Sequence, residues 1–481
     1  MTKLKLFCFL CGMIFMTGTL SARTSQSIII KGKVTNTAGK PIVYFRTVGG
    51  IYVQSKDTLQ VLPDSTFTVT LPADSPEKVD FTLWRARRLG SVYLKPGVTK
   101  MDIDAGSDTP LKVVATPENK TMNKLAELDD AVWDLRARRG DKWNIARDTV
   151  AASVYDKLTA YALSMEKELV GVDKSFKSKA VQDIRMQLLL AFSNQYLGTT
   201  HRSSASTKKE WNDTFYRMVE FARINHPDNV FSSAFAEAVN YQYGIKAFQI
   251  NPPANPPKDR NELNKQCFDE YVNSLQGKVL EVALADIILK DYWEQDYSTG
   301  ISELYDRFVA LYPQSSLLPF LNKAVETNKA FNCAAFSGDI HFIDSDSIQT
   351  FKELTDRYPG KVIFVDIWAT WCSPCRQSFA YVKPLQQYAK EHDVVLLYIT
   401  IDRLKDKDKW QKMANHYKLA GDHIIVNDSL DKDIRSIFGK DGALYIPHCG
   451  IVNTKGELQY RKAASPEDMD KLAAQLKAAA Q

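Results

Sequence analysis

The chain lacks the concentration of positive charge that marks proteins binding nucleic acid. Its 62 lysines and arginines nearly balance its 57 acidic residues, which leaves a net charge of +5. No basic stripe with interleaved aromatic side chains runs along the sequence, whereas nucleic-acid binders carry such a footprint. We therefore expect no nucleic-acid partner.

Cysteine is also scarce. The sequence holds 7 cysteines in 481 residues. Beyond residue 22, Cys372 and Cys375 form one pair at close spacing, while Cys267, Cys333 and Cys449 are scattered singly. A framework of structural disulfides needs more cysteines at regular spacing, so none is predicted. Cys267 and Cys333 lie in helical patterns, where we expect buried thiols that act as small apolar side chains.

The N-terminal apolar run is short for a membrane span. Lys3 and Lys5 precede the apolar residues 6–16, and small residues follow up to Ala22. This three-part layout is typical of a secretory signal peptide. We expect export of the protein and removal of residues 1–22 by cleavage after Ala22, with an uncleaved membrane anchor as the alternative.

Residues 23–112 have the alternation of β-strands. Phe67, Val69 and Leu71 alternate with threonines, and turn clusters such as residues 36–41 separate the apolar runs. This pattern predicts an antiparallel β-sandwich-like domain or a half-barrel.

Residues 113–336 change to helical spacing, for example at Leu125, Leu128 and Val132, and predict an all-α domain. The polar residues 199–209 and the proline-rich residues 251–258 are predicted loops or a hinge. Frequent aromatic side chains in this segment are expected in the core, with a peptide-binding groove as the alternative.

Strands and helices alternate in residues 337–481, which predicts an α/β domain with a closing hairpin and helix. Residues 362–367 are mostly apolar and β-branched, as in a central strand that is buried on both faces. Two of the helices are expected to begin at caps formed by Ser347 and by residues 465–468.

The pair Cys372 and Cys375 follows this central strand and precedes a segment with helical spacing. The partly positive N-terminus of a helix stabilises a thiolate, and a thiolate is the nucleophile in disulfide exchange. With two residues between them, the second cysteine can reach the sulfur of the first. Pro374 fits the first helical turn, which needs no backbone donor at that position. A zinc site is the alternative, but the sequence provides no second ligand pair.

The segment VDIWATWCSPC resembles the active-site segment of the thioredoxin superfamily, and specifically of exported TlpA-like reductases. The resemblance covers residues 337–481 and implies a thioredoxin fold there. By pattern, residues 23–112 resemble an uncharacterised small β-domain that precedes many exported thioredoxin domains.

The resemblance also implies roles for further residues. Asp366 matches the buried acid that exchanges protons with the second cysteine, and Pro447 falls where this fold carries a cis-proline beside the dithiol. Burial should raise the pKa of such an acid toward neutrality. The expected supporting residues are Trp368, Trp371, Ser373 and Pro374.

Three positions depart from the family pattern. Ser378 and Ala380 stand where a glutamate and a proline are common, and Tyr398 stands where thioredoxins often hold a lysine. We therefore expect a less kinked helix after the dithiol and a proton relay that depends on Asp366 alone.

His448 and Cys449 follow Pro447 directly, and neighbours on a strand point to opposite faces. We expect a buried Cys449 and a surface His448. The alternative is that one of the two side chains faces the dithiol. Cys449 would then be a third thiol for disulfide exchange, whereas His448 would steady the thiolate or complete a soft copper site.

The predicted function is therefore a periplasmic thiol-disulfide oxidoreductase that needs no cofactor or metal. The resemblance implies that it reduces disulfides of client proteins and is recharged by a membrane electron donor. The alternatives are a copper-binding protein that uses Cys372, Cys375 and His448, and an envelope interaction protein with an incidental dithiol.

Overall fold

The computed structural model describes residues 27–48, 51–72, 76–84, 86–201, 203–440 and 443–481, and the predicted signal peptide lies outside them. The chain folds as two compact units. The first comprises Met1–Ala254 with Leu275–Val282, and the second comprises Asn255–Ser274 with Ala283–Gln481. The helical segment 113–336 is therefore divided between the two units, and three domains with boundaries after residues 112 and 336 stay a prediction.

The first unit begins with two four-stranded sheets, ordered β4-β1-β7-β8 and β3-β2-β5-β6. Their strands are β1 (Ser27–Thr35), β2 (Ile42–Val48), β3 (Ile51–Thr58), β4 (Thr66–Pro72), β5 (Glu77–Leu83), β6 (Arg87–Leu94), β7 (Gly97–Asp104) and β8 (Leu111–Val113). Inward side chains of both sheets form one core, including Ile30, Phe67 and Phe81. One pair, β1 with β7, is parallel, so the arrangement departs from the purely antiparallel prediction.

Five complete α-helices follow in the described part of the first unit. They are α1 (Pro117–Arg136), α2 (Ala151–Lys167), α3 (Lys174–Thr200), α4 (Ala205–Ala222) and α5 (Phe235–Gly244). A 3-10 helix lies between α4 and α5, and a π-helical turn follows α5. Residues 205–209 belong to α4, so most of the predicted loop 199–209 is helical, because Ser204 caps α4 through the backbone N–H of Thr207. Residues 251–258 contain neither helix nor strand, as predicted.

A network of buried charges joins β5 and β6 to the helices of the first unit. Asp80 accepts hydrogen bonds from Arg88 and Ser91, and Arg88 also pairs with Asp129 on α1. Lys78, beside Asp80 on β5, is 3% exposed and lies 3.5 Å from the Ser233 hydroxyl. Because an unpaired buried charge is costly, this network ties the sheet to the helices.

The remaining helices before the α/β region are α6 (Arg260–Ser274), α7 (Gly277–Trp293), α8 (Ile301–Leu311) and α9 (Leu318–Cys333). The second unit contains α6, residues 283–293 of α7, α8 and α9. Tyr297 and Phe331 from this segment pack into the same apolar cluster as Trp368 and Leu385 of the α/β region.

The α/β region contains a six-stranded sheet ordered β14-β13-β10-β11-β12-β9. Its strands are β9 (Ile340–Ile343), β10 (Ile363–Trp368), β11 (Val395–Thr400), β12 (Gly421–Ile425), β13 (His448–Val452) and β14 (Leu458–Tyr460). Its helices are α10 (Phe351–Thr355), α11 (Ser373–Ser378), α12 (Val382–His392), α13 (Lys407–His416), α14 (Asp428–Phe438) and α15 (Met469–Ala479). Every residue of β10 is buried, as expected of a central strand covered on both faces.

One predicted helix cap is wrong. α10 begins at a capping box formed by Thr350 and Glu353, not at Ser347, because the reciprocal pair satisfies two backbone donors, which a lone serine does not. α15 is capped by Asp468, which lies within the predicted residues 465–468 and accepts from the backbone N–H of Lys471.

The helix after the dithiol is interrupted in the structure, whereas the sequence analysis expected a less kinked helix. α11 and α12 are separated by a 3-10 turn at Phe379–Tyr381. Pro384, in the first turn of α12, has no backbone N–H to donate to the carbonyl of Ala380, so no helical hydrogen bond bridges the two segments at that position. A proline four residues after Ala380 therefore accompanies the break that the sequence analysis did not expect.

Among the helices of the described residues, none combines the length and the apolar character that crossing a bilayer requires.

Candidate active site

Cys372 and Cys375 lie where the chain leaves the central strand β10 and enters α11, and the two cysteines form a disulfide. Cys372 is the N-cap residue of α11, and the backbone N–H of Cys375 donates to its Sγ over 3.2 Å. A donor aimed at a sulfur favours the thiolate once the bond is reduced. Cys372 is 4% exposed and Cys375 is completely buried, so an incoming thiol or disulfide meets Cys372 first.

The predicted supporting residues surround this turn in different ways. Trp368 is completely buried, and its ring packs edge-on against Phe379 at 5.1 Å. Trp371 is 64% exposed directly beside Cys372. Pro374 occupies the first turn of α11, and the Ser373 hydroxyl accepts a hydrogen bond from Gln377 one turn later. Trp368 therefore lies in the core and Pro374 within the first turn of α11, whereas Trp371 exposes an apolar surface to solvent.

Asp366 lies on β10 between Phe364 and Trp368 and is 2% exposed. Because alternate residues of a strand share a face, its side chain points into the layer that contains Phe364, Trp368 and Cys375. Burial raises the pKa of Asp366 to about 7. A carboxyl group with this pKa can both accept and release a proton near neutral pH.

Two titratable side chains flank Asp366 on the neighbouring strands, Tyr398 on β11 and Cys449 on β13. Burial, followed by the negative charge of Asp366, raises the pKa of both groups. Tyr398 stacks on the buried ring of His423 at 4.7 Å. Neither neighbour supplies the positive charge of a lysine, so burial alone decides the pKa of Asp366.

Pro447 lies between α14 and β13, directly before the first residue of β13, and the Ile446–Pro447 peptide bond is cis. Cys449 is 8% exposed and belongs to the apolar cluster that also contains Cys372 and Cys375. His448 is only partly buried. Its ring packs against Phe438, and its Nε2 lies 2.7 Å from the carbonyl oxygen of Arg461.

Within the described ranges, no three His, Cys, Asp or Glu side chains are grouped so that they could hold a metal ion together. Of the two remaining cysteines, Cys267 is partly buried and Cys333 is exposed at the end of α9. The expectation of a buried Cys333 is therefore wrong: this residue is the last of α9 and is exposed.

Sequence analysis missed the residues that hold the two ends of the active-site loop. Before the cysteines, the backbone N–H and the hydroxyl of Thr370 donate to the Asp402 carboxylate over 2.8 and 2.9 Å. The available signal was that Thr370 and Asp402 each follow an apolar strand-like run. These runs form adjacent parallel strands with Trp368 in register with Thr400, and residues that follow such strands meet at one edge of the sheet.

After the cysteines, Arg376 donates through Nε to the side-chain oxygen of Gln295 over 2.5 Å and through Nη2 to the carbonyl of Glu294 over 3.1 Å. It also donates to the carbonyl of Thr370. The contact between Arg376 and Gln295 joins residues 81 positions apart, and no local sequence pattern indicates it.

Residues 333–476 match the Redoxin family model. Among curated proteins, the thiol-disulfide oxidoreductase ResA of Geobacillus thermodenitrificans is 33% identical over 79 residues, which cover 16% of this chain and 44% of that protein. ResA of Bacillus subtilis is 24% identical over 118 residues, covering 24% of this chain and 61% of that protein.

Among solved structures, a thioredoxin-like protein from Bacteroides caccae is 13% identical, with 64% of this chain and 95% of that chain covered at a TM-score of 0.21. The chain spans 44% and 61% of the length of the two curated relatives. The matched model and these relatives support the assignment of the C-terminal region, residues 333–476, to the thioredoxin superfamily.

Proposed function

We propose that the thioredoxin domain is a thiol-disulfide oxidoreductase that reduces disulfide bonds of exported client proteins through Cys372 and Cys375. The observation that carries this proposal is the disulfide between these residues at the start of α11, directly after the central strand that bears the buried Asp366. The names of the ResA relatives agree with this chemistry.

The first step is attack by the Cys372 thiolate on one sulfur of a client disulfide. A bond forms between the Cys372 sulfur and that client sulfur, the client disulfide breaks, and the second client sulfur leaves as a thiolate. Cys372 is the attacking residue because it is the more exposed cysteine and because the N–H of Cys375 is aimed at its sulfur.

The second step releases the client. Cys375 transfers its proton to the Asp366 carboxylate, and its sulfur attacks Cys372, which forms the internal disulfide and expels the remaining client thiolate. Two electrons have then moved from the dithiol to the client. A pKa of about 7 lets Asp366 take up this proton and return it in the next cycle.

The exposed Trp371 and the backbone around Pro447 form the proposed client surface. Trp371 is 64% exposed beside Cys372 and gives an apolar contact to an extended client segment. Proline contributes no backbone donor at position 447, and the backbone of Ile446 then pairs with the client strand by β-augmentation.

The proposed site of action is the periplasm, because residues 1–22 have the sequence of a signal peptide. A membrane electron donor then returns the internal disulfide to the dithiol, since the step above leaves the domain oxidised.

The test is reduction of insulin by the purified protein with dithiothreitol as the source of electrons. We expect turbidity from reduced insulin to develop faster with the wild type, and no acceleration with Cys372→Ser or with Cys375→Ser. Cys449→Ser is the matched control, and it should retain activity because the mechanism gives its thiol no step. A wild type that does not accelerate the reaction would refute the proposal.

A further inference from the structure

The turn between α7 and α8, residues 294–300, reaches the active-site loop. We call this segment the α7–α8 turn. Its Gln295 accepts hydrogen bonds from Arg376 over 2.5 Å and from the Tyr417 hydroxyl over 2.6 Å, and the backbone of Glu294 accepts from Arg376 over 3.1 Å. All these residues belong to the second compact unit. A helical segment distant in sequence therefore contacts the residue that follows Cys375.

The turn is itself firmly held. Asp296 pairs with Lys409 of α13 at 2.7 Å and with Arg260 of α6 at 2.8 Å. Tyr297 is 4% exposed and stacks on Phe331 at 4.3 Å. Gln295 itself has a φ of +55°, a left-handed conformation that is unfavourable for a residue with a side chain. The surrounding contacts fix this conformation and aim the Gln295 amide at Arg376.

Arg376 joins this turn to the loop that carries the dithiol. Its guanidinium group also donates to the carbonyl of Thr370, two residues before Cys372. The three acceptors of Arg376 are amide and backbone oxygens without net charge. They therefore hold the guanidinium group in place without neutralising its positive charge. A fixed positive charge near a cysteine favours its thiolate.

We propose that Gln295 is a positioning residue for the dithiol: it holds Arg376 across the active-site loop, so that the guanidinium charge stabilises the thiolate of Cys372. This inference rests on the proposed function, because a stabilised Cys372 thiolate is the nucleophile of the first step. It also assigns a role in the chemistry to the helical segment, whose turn completes the environment of the two cysteines.

The test measures the alkylation rate of Cys372 in the reduced protein with iodoacetamide across pH, followed by mass spectrometry of the Cys372 peptide. Gln295→Gly removes the acceptor and suits the left-handed backbone, so a slower reaction is not caused by strain. We expect an increase of about half a unit in the pKa of Cys372 and an alkylation rate at pH 7 that is about threefold lower. Gln314→Gly, in the turn between α8 and α9, is the matched control and should react like the wild type.

A double-mutant cycle separates positioning through Arg376 from any other effect. Arg376→Ala should slow alkylation at least as much as Gln295→Gly, and the double variant should react no more slowly than Arg376→Ala alone. Gln295→Asn, whose shorter side chain no longer reaches Arg376 but tolerates the left-handed backbone, is the second variant and should show the same slowing. An unchanged rate in both Gln295 variants, or equal slowing with and without Arg376, would overturn the proposal.

The alkylation rate reports on Cys372 without any client protein. If the wild type does not reduce insulin while the cycle behaves as expected, the proposed function fails and the positioning role of Gln295 stands. If insulin is reduced and the Gln295 variants alkylate like the wild type, only the positioning role fails.

Discussion

Asp366 and Cys449 lie directly opposite each other across the antiparallel strands β10 and β13. Both side chains are more than nine-tenths buried. Burial and the charge of Asp366 raise the pKa of Cys449, and burial raises the pKa of Asp366 to about 7. Two groups that share a buried position are thus both neutral at slightly acid pH, and only Asp366 titrates near neutrality.

The first prediction concerns the stability of Asp366→Asn. Folded protein keeps the Asp366 proton up to about pH 7, whereas the ordinary pKa of the side chain is 3.8. The folded state therefore binds more protons than the unfolded state between these values, and the wild type loses stability as the pH rises through this window. Asp366→Asn should have a free energy of unfolding like that of the wild type below pH 4 and higher by up to about 4 kcal/mol above pH 7.

The measurement is urea denaturation of the oxidised protein at several pH values, with the exposed Asp346→Asn as control. The same variant should slow insulin reduction most near and above neutral pH, where the wild type has an Asp366 carboxylate to accept the proton of Cys375. A variant that is strongly destabilised at pH 8 yet reduces insulin at the rate of the wild type would contradict the assignment.

The second prediction concerns the free thiols. Cys333 is exposed, whereas Cys449 is buried and has a raised pKa. N-ethylmaleimide should therefore label Cys333 of the oxidised, folded protein at least about a hundredfold faster than Cys449, because only the exposed thiol reaches the reagent without local unfolding. Peptide mapping before and after addition of guanidinium chloride provides the measurement. Rapid labelling of Cys449 in the folded protein would show that this thiol is open to the site.

The third prediction concerns the buried charges of the first unit. Asp80 is 3% exposed and binds Arg88 and Ser91, so Asp80→Ala should lower the free energy of unfolding of this unit by about 3 kcal/mol. Lys112→Ala is the control. It breaks a pair with Asp104 in which the lysine side chain is 58% exposed, and it should cost less than about 1 kcal/mol. Similar losses in thermal denaturation of the two variants would contradict the buried role of Asp80.

The fourth prediction concerns domain organisation. Residues 251–258 are almost all exposed and lie outside helices and strands. Limited proteolysis should cut there first, before residues 205–209, which are helical. The C-terminal product should keep α6 to α9 together with the thioredoxin domain. N-terminal sequencing of the products identifies the cut. A first cut near residue 336 would favour three separate domains, and a first cut within 361–376 would contradict the fold described for the active site.

Local sequence patterns were sufficient to predict the structure where neighbouring residues all indicate the same element. The apolar run of β10 is a buried central strand, and the turn at residues 453–456 joins β13 to β14 as the hairpin signal indicates. Cys372 and Cys375 follow β10 at the start of a helix because a strand pattern and a helical pattern meet there. At these places local propensity agrees with the tertiary fold.

Local signals failed where the outcome depends on a choice between neighbours or on distant contacts. Thr350 rather than Ser347 caps α10, because only Thr350 has Glu353 at the reciprocal position. The expectation of a less kinked helix considered the missing proline at Ala380 and not Pro384, which accompanies the break between α11 and α12. The contact between Gln295 and Arg376 depends on how the α7–α8 turn packs within the second unit, and a window of neighbouring residues does not contain that information.

The most direct test of the proposed dithiol chemistry is trapping of mixed disulfides in cells that express the full chain with its first 22 residues. Cys375→Ser retains the attacking thiol and lacks the resolving one, so it should accumulate as covalent complexes that disappear on reduction. Cys372→Ser is the matched control and should form none. Mass spectrometry of the trapped complexes should identify client proteins joined through Cys372. Complexes that form equally with both variants, or with neither while the wild type also does not reduce insulin, would contradict the account.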